Sequence, residues 1–210
     1  MTLSRDGPQP GRESPDTRNG LTWAQAVVVF IGGGLLISIG DRAHIAFGVL
    51  TQNDTSFWGQ AWWVVPMFGA VSLALVVSYR ALRGWLDEPA SDRDPQSAGL
   101  SAALFLLAYC STGPFAQLGL SLAALLVGLF VLRVLLHREN RATLVLSIII
   151  AVFGPLGEVL VYKLGMFHYT NPDLGLVHSW LPAVYLHGGL VIPKVEALFS
   201  TSKTVPTASK

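Results

Sequence analysis

Five stretches of the chain run for 20 residues or more with at most one charged side chain, and they decide what it can fold into. Asn19–Gly40 covers 22 residues, Thr55–Tyr79 covers 25 and Pro95–Leu132 covers 38. Ala142–Tyr162 is interrupted only by Glu158, and Leu174–Pro193 adds a further 20. A helix needs about 20 apolar residues to cross a bilayer, so each run is long enough to span. The Pro95–Leu132 run is too long for one crossing and breaks at Ser111-Thr112-Gly113-Pro114. The reading is an all-α membrane protein with six transmembrane helices, near 22–40, 61–82, 97–111, 115–136, 142–163 and 177–198. Composition agrees: 13% of residues are charged, against about 25% in soluble domains. Too few charges remain to cover a soluble globule.

Orientation follows from lysine and arginine, which gather in cytoplasmic loops. With the N-terminus inside, 12 of the 14 basic residues fall on that side: Arg5, Arg12, Arg18, Arg80, Arg83, Arg93, Arg133, Arg138, Arg141, Lys194, Lys203 and Lys210. Only Arg42 and Lys163 fall outside. Both termini are therefore expected in the cytoplasm. Residues 1–20 are polar and rich in Pro, Gly and Arg, with no apolar region ahead of a cleavage site; they read as a disordered N-terminal tail. Residues 21–199 form the membrane domain, and 200–210 a C-terminal tail. A net charge of +1 leaves no electrostatic footprint for nucleic acid. The single cysteine, Cys110, excludes an internal disulfide and a cysteine zinc cluster. No metal-ligand, phosphate-loop or dinucleotide motif is present, and no cofactor is expected.

A few polar residues inside the apolar runs are candidates for chemistry. Glu158 would cost ~2.5–3.5 kcal/mol or more at a bilayer centre unless it faced protein, water or a partner. Pro155, one turn earlier, removes a helix hydrogen bond and disturbs the helix there. Together they would suit an ion-coupled transporter; the plainer reading is a carboxyl near the outer interface. Gln117 sits near the outer end of the fourth expected helix, beside the small residues Gly119, Ala123, Ala124 and Gly128, a helix-association pattern. Ser121 and His187 would supply the pair that an intramembrane serine protease needs, but the oxyanion-helix motif is absent. Trp58, Trp62, Trp63 and Trp180 lie at expected outer helix ends, where tryptophan prefers the interface. Asn53-Asp54-Thr55 fits a glycosylation sequon.

Two longer stretches carry a resemblance. Ala61-Trp62-Trp63-Val64 with Pro66 leads to Leu86 and Glu88-Pro89. Leu160-Val161-Tyr162 leads to Tyr169-Thr170, Pro172-Asp173, Ser179-Trp180-Leu181-Pro182 and Gly188-Gly189. With Gln117–Leu129, these motifs resemble the insulin-induced gene protein (Insig) family from about residue 22 to residue 198. The resemblance implies a six-helix bundle, without catalysis, that binds a sterol-like or diacylglycerol-like membrane lipid and acts as a sterol-sensing regulator. It implies ligand contacts at Phe105, Gln117 and Phe130. Glu158 replaces the glutamine that precedes the family's Leu-Val-Tyr motif, and Tyr162 closes that motif; both are grouped with the ligand site. A family aspartate needed for partner binding falls on Val134, so the animal sterol-escort protein is not an expected partner. A different membrane-protein partner or a homo-oligomer is. The expected location is the plasma membrane in a bacterium, or the endoplasmic reticulum membrane in a eukaryote.

Overall fold

The computed structural model describes residues 20–91 and 93–200. Apart from Gly20 and Ser200, the two expected tails lie outside the described residues. Among the described residues, seven α-helical segments follow in order: α1 (Trp23–Ala46), α2 (Val64–Trp85), α3 (Pro95–Ser111), α4 (Leu120–His137), α5 (Arg141–Lys163), α6 (Leu181–Gly189) and α7 (Ile192–Phe199). Of these, α1, α2, α4 and α5 are long and apolar enough to cross a membrane. Local chemistry sets several starts. Thr22 and Gln25 form a capping box at α1, and the side chains of Asp94 and Asn140 cap α3 and α5.

Three expected boundaries are corrected. The first helix does not stop at Gly40 but continues to Ala46, carrying Asp41 and His44 inside the fold. The fourth helix begins at Leu120, because Gly119 takes a positive φ of 47° after a 3₁₀ turn at Ala116–Leu118. Such a backbone suits glycine and separates Gln117 from the helix. The sixth is not one helix. It breaks at Leu190 and Val191, whose amides bond back to the carbonyls of His187 and Gly188 in tight four-residue turns. Pro193 then sits in the first turn of α7, where its missing amide proton is no loss.

Packing is closest where glycine removes a side chain. A Cβ on Gly34 would lie 2.5 Å from the carbonyl oxygen of Val65, and one on Gly69 would lie 2.7 Å from that of Phe30. These glycines let α1 and α2 meet backbone to backbone. On the other side, Gly189 of α6 rests against Ser147 of α5. The small-residue stripe expected to pack on α4 does so only in part, through Ala123, which packs against the core. Ala124 and Gly128 are exposed, and α4 instead buries Leu122 and Leu126.

One end of the bundle is closed by a two-stranded antiparallel ribbon, β1 (Leu50–Gln52) with β2 (Phe167–Tyr169), in the register Leu50↔Tyr169. Beneath it Trp180 is fully buried, its indole stacked on His178 at 5.0 Å, so this tryptophan is a core residue and not an interface anchor. At the opposite, arginine-rich end, Glu196 of α7 accepts a hydrogen bond from Arg80 at 2.9 Å and lies 3.6 Å from Arg83. Lys194 pairs with Glu139 there at 3.4 Å.

Candidate functional site: an apolar cavity with an acidic end

Helices α1, α2, α3, α5, α6 and α7 enclose a cavity of about 650 Å³. Its walls are almost wholly apolar: Val29, Leu36 and Ile37 from α1, Phe68 and Leu75 from α2, Phe105 from α3, and Ile150 from α5. Among the described residues, no lysine, arginine or histidine lines it. Val28, Val71, Phe153 and Leu160 line it and are also exposed on the outside of the bundle, so the cavity opens sideways.

Polar groups gather near the ribbon. Asp41 extends from α1, and its Oδ1 accepts a hydrogen bond from the Tyr109 hydroxyl of α3 at 2.6 Å. Glu158 of α5 accepts from two tyrosines, Tyr185 of α6 at 2.7 Å on Oε1 and Tyr169 of β2 on Oε2. All five side chains line the cavity. Their seating depends on local structure. Gly40 leaves the space that the Tyr109 ring fills, and Gly154 does the same for the Tyr185 ring. In β2, strand alternation turns Phe167 and Tyr169 inward and His168 outward. From Asp41 back to Val29, α1 runs twelve residues, or about 18 Å at 1.5 Å per residue. The cavity is therefore long, apolar for most of its depth, and acidic at one end.

The expected site residues divide. Phe105 and Glu158 stand on the cavity wall. Gln117 does not: it is exposed on the 3₁₀ turn and borders a separate cavity of about 120 Å³ with Thr170, Asn171 and His178. Phe130 faces His187 edge-on at 6.0 Å, and Tyr162 faces His168 at 6.5 Å; neither lines the main cavity. The serine–histidine pair is not assembled. His187 Nε2 donates to the Leu126 carbonyl at 2.9 Å, and its Nδ1 lies 3.3 Å from Arg133, whose other amino group donates to Ser101. Ser121 is exposed at the start of α4. Asp41, Tyr109, Tyr169 and Tyr185 had not been singled out as site residues. The available signal for Asp41 was the apolar Ile45–Leu50 segment just beyond it, which lets the helix continue past the charge.

These features define a class: a helical membrane protein holding a side-opening apolar cavity with a hydrogen-bonding end. No family model matches the chain. Among individual proteins, it is 33% identical over 181 residues to chicken insulin-induced gene 2 protein, covering 81% of this chain and 78% of that one. It is 29% identical over 204 residues to human insulin-induced gene 1 protein, covering 92% and 72%. The chain belongs to the insulin-induced gene protein family. Its fold matches the crystal structure of an Insig homolog from Mycobacterium vanbaalenii with a TM-score of 0.75 at 23% identity, covering 85% of this chain and 95% of that one. A cross-linked trimer of that homolog matches with a TM-score of 0.73.

Proposed function

We propose that this protein is a non-enzymatic lipid-binding sensor that holds a sterol-like or diacylglycerol-like amphiphile in its central cavity. One observation carries the reading: a cavity of about 650 Å³, apolar along its length, with hydrogen-bonding groups confined to one end. Small-molecule sites are mostly apolar with a few placed polar groups, and an amphiphile has that same division. The sideways opening supplies a route from the bilayer.

The six-span arrangement with both termini cytoplasmic belongs to this proposal, with α6 and α7 together making the sixth span. Placement in the plasma membrane or the endoplasmic reticulum membrane, according to the host, belongs to it as well. The trimeric form of the mycobacterial homolog supports a homo-oligomer. Val134 stands where the family carries its partner-binding aspartate, so retention of the animal sterol-escort protein is not proposed.

The test is competition against a photo-crosslinking lipid in nanodiscs. A Cβ on Gly157 would meet open space, and this residue lines the cavity, so Gly157→Trp fills it with little strain on the bundle. Labelling should fall at least about tenfold, which corresponds to 1.4 kcal/mol. Gln117→Ala, away from the cavity, should leave labelling unchanged. A folded Gly157→Trp protein that labels like wild type would refute the reading.

A further inference from the structure

We propose that Arg133 binds the phosphate of an anionic phospholipid drawn from the leaflet at the arginine-rich end of the bundle, with an acyl chain of that lipid in the seam between α3 and α4. The site is separate from the central cavity, whose lining includes none of Arg133, Ser101 and His187. It does not depend on what that cavity holds.

Arg133 lies four residues before the end of α4, or about 6 Å along the axis at 1.5 Å per residue. An arginine so placed usually extends its head to the interface. This one is half-buried and turns into the bundle. One amino group donates to Nδ1 of His187 on α6 at 3.3 Å, and the other to Oγ of Ser101 on α3 at 3.0 Å. His187 accepts there because its Nε2 gives its proton to the Leu126 carbonyl, so the ring is neutral. Ser101 is neutral too, its own proton donated to the Leu190 carbonyl at 3.1 Å. Neither partner supplies negative charge. Among the described residues no carboxylate pairs with Arg133. Glu139, the next acid along the chain, is taken by Lys194 at 3.4 Å. A buried carboxyl without a counter-charge can take up a proton, but a guanidinium cannot lose one. Its charge has to be met by an anion from outside the chain. Two of its five N–H groups are used, and Nε is buried without a partner. The remaining donors suit the two unesterified oxygens of a phosphodiester, which a guanidinium fork can hold bidentately.

The seam favours a lipid over a soluble anion. Helices α3 and α4 both pack on α6 with almost no packing on each other, so α6 floors a groove between them. Leu104 lies one turn beyond Ser101, and Leu129 and Phe130 one turn from Arg133, all towards the bilayer centre. Leu129 is exposed, and Leu104 and Phe130 are half-buried. A cation near the interface with apolar side chains beneath it matches the order of phosphate and acyl chain in a phospholipid.

The experiment is native mass spectrometry of the full chain released from detergent micelles, titrated with phosphatidylglycerol and phosphatidylcholine of identical acyl chains. Both carry a phosphodiester, but the choline cancels its charge. Wild type should bind phosphatidylglycerol at least about fivefold more tightly, the effect expected of one basic residue near the membrane surface. Arg133→Met should bring the two lipids within about twofold. Arg141→Met, which removes a charge from the start of α5, should keep the preference. So should Gly157→Trp, which fills the central cavity, and excess inorganic phosphate should not displace the lipid. A phosphatidylglycerol with a diazirine in its acyl chain should label peptides of α3 or α4. Equal binding of the two lipids by wild type would refute the inference even if no variant folds. A role for Arg133 confined to tying α4 to α3 and α6 would lower the melting temperature of Arg133→Met and leave the preference intact, which overturns it. A preference lost in Gly157→Trp would move the lipid to the central cavity, and displacement by phosphate would make this a soluble-anion site; either result overturns the assignment.

Discussion

Gly154 offers a direct test of how the acidic end is held. A Cβ there would lie 2.5 Å from Cε1 of Tyr185 and 2.6 Å from its Cδ1 and Cζ. Carbon atoms prefer about 3.5–4.0 Å, so in Gly154→Ala the ring must withdraw by about 1 Å. That motion pulls the hydroxyl from Glu158, which it meets at 2.7 Å. Overpacking costs about 1–3 kcal/mol, and a lost hydrogen bond to a charged group costs about 1.5–3 kcal/mol. The two overlap, because withdrawing the ring relieves the first while incurring the second. Alanine also favours helix over glycine by up to about 1 kcal/mol. The expected net loss is about 1–3 kcal/mol. In a Tyr185→Leu background the ring is gone, so Gly154→Ala should be neutral or stabilising. Unfolding can be followed by SDS titration in mixed micelles, reading maleimide access to Cys110, the one cysteine of the chain, in α3. An equal cost of Gly154→Ala in both backgrounds would refute the steric argument.

Three further outcomes are expected. With Cys110 replaced by serine, single cysteines at Gln96 and His137 should label from the cytoplasmic side and one at Thr51 from the other; labelling of Gln96 and His137 from opposite sides would exclude the six-span arrangement. Glu196→Ala should cost about 2–3 kcal/mol in the same unfolding assay, below the ~3–5 kcal/mol of a fully buried pair, because the side chains of Arg80 and Arg83 are 12% and 20% exposed and can reach solvent; converting Arg80 to Met as well should recover part of it. In the segment before α6, burial holds His178 below its ordinary 6.5, against the pull of Asp173. A depressed folded value means that its contribution is complete above about 6.5 and is lost as pH falls below it, so His178→Asn should reduce the drop in melting temperature between pH 7.5 and 5.5.

Charge-free runs located the apolar helices because a bilayer imposes a length, and length is written in sequence. They failed wherever a charge was taken as a boundary. An acid at a helix end and an acid turned into a cavity read alike, which is why α1 was stopped before Asp41. The broken sixth helix had its signal in Gly188-Gly189 and Pro193, but an unbroken apolar run outweighed it. Gln117 was placed on a helix because hydrophobicity continues through it, whereas Gly119 changes the backbone direction. Tyr169 reaches Glu158 only because β2 pairs with β1 from the far side of the chain. That pairing is non-local and leaves no local pattern to read. Phe105 and Glu158, which line the cavity, stand out in the sequence because one matches a family position and the other is an isolated acid in an apolar run.

If the cavity holds a lipid as proposed, the sideways opening between exposed Val28 and Val71 on one side and Phe153 and Leu160 on the other sets the reservoir with which it equilibrates. A molecule entering there never crosses water, so aqueous solubility drops out of its binding equilibrium. Occupancy then follows the fraction of bilayer molecules that are ligand, and a dissociation constant has meaning only in that unit. Doubling the surrounding phospholipid at fixed ligand would empty the cavity as effectively as halving the ligand. On the proposed lipid-binding function, such a protein would measure the composition of the sheet it sits in, independently of how much of that sheet the cell contains.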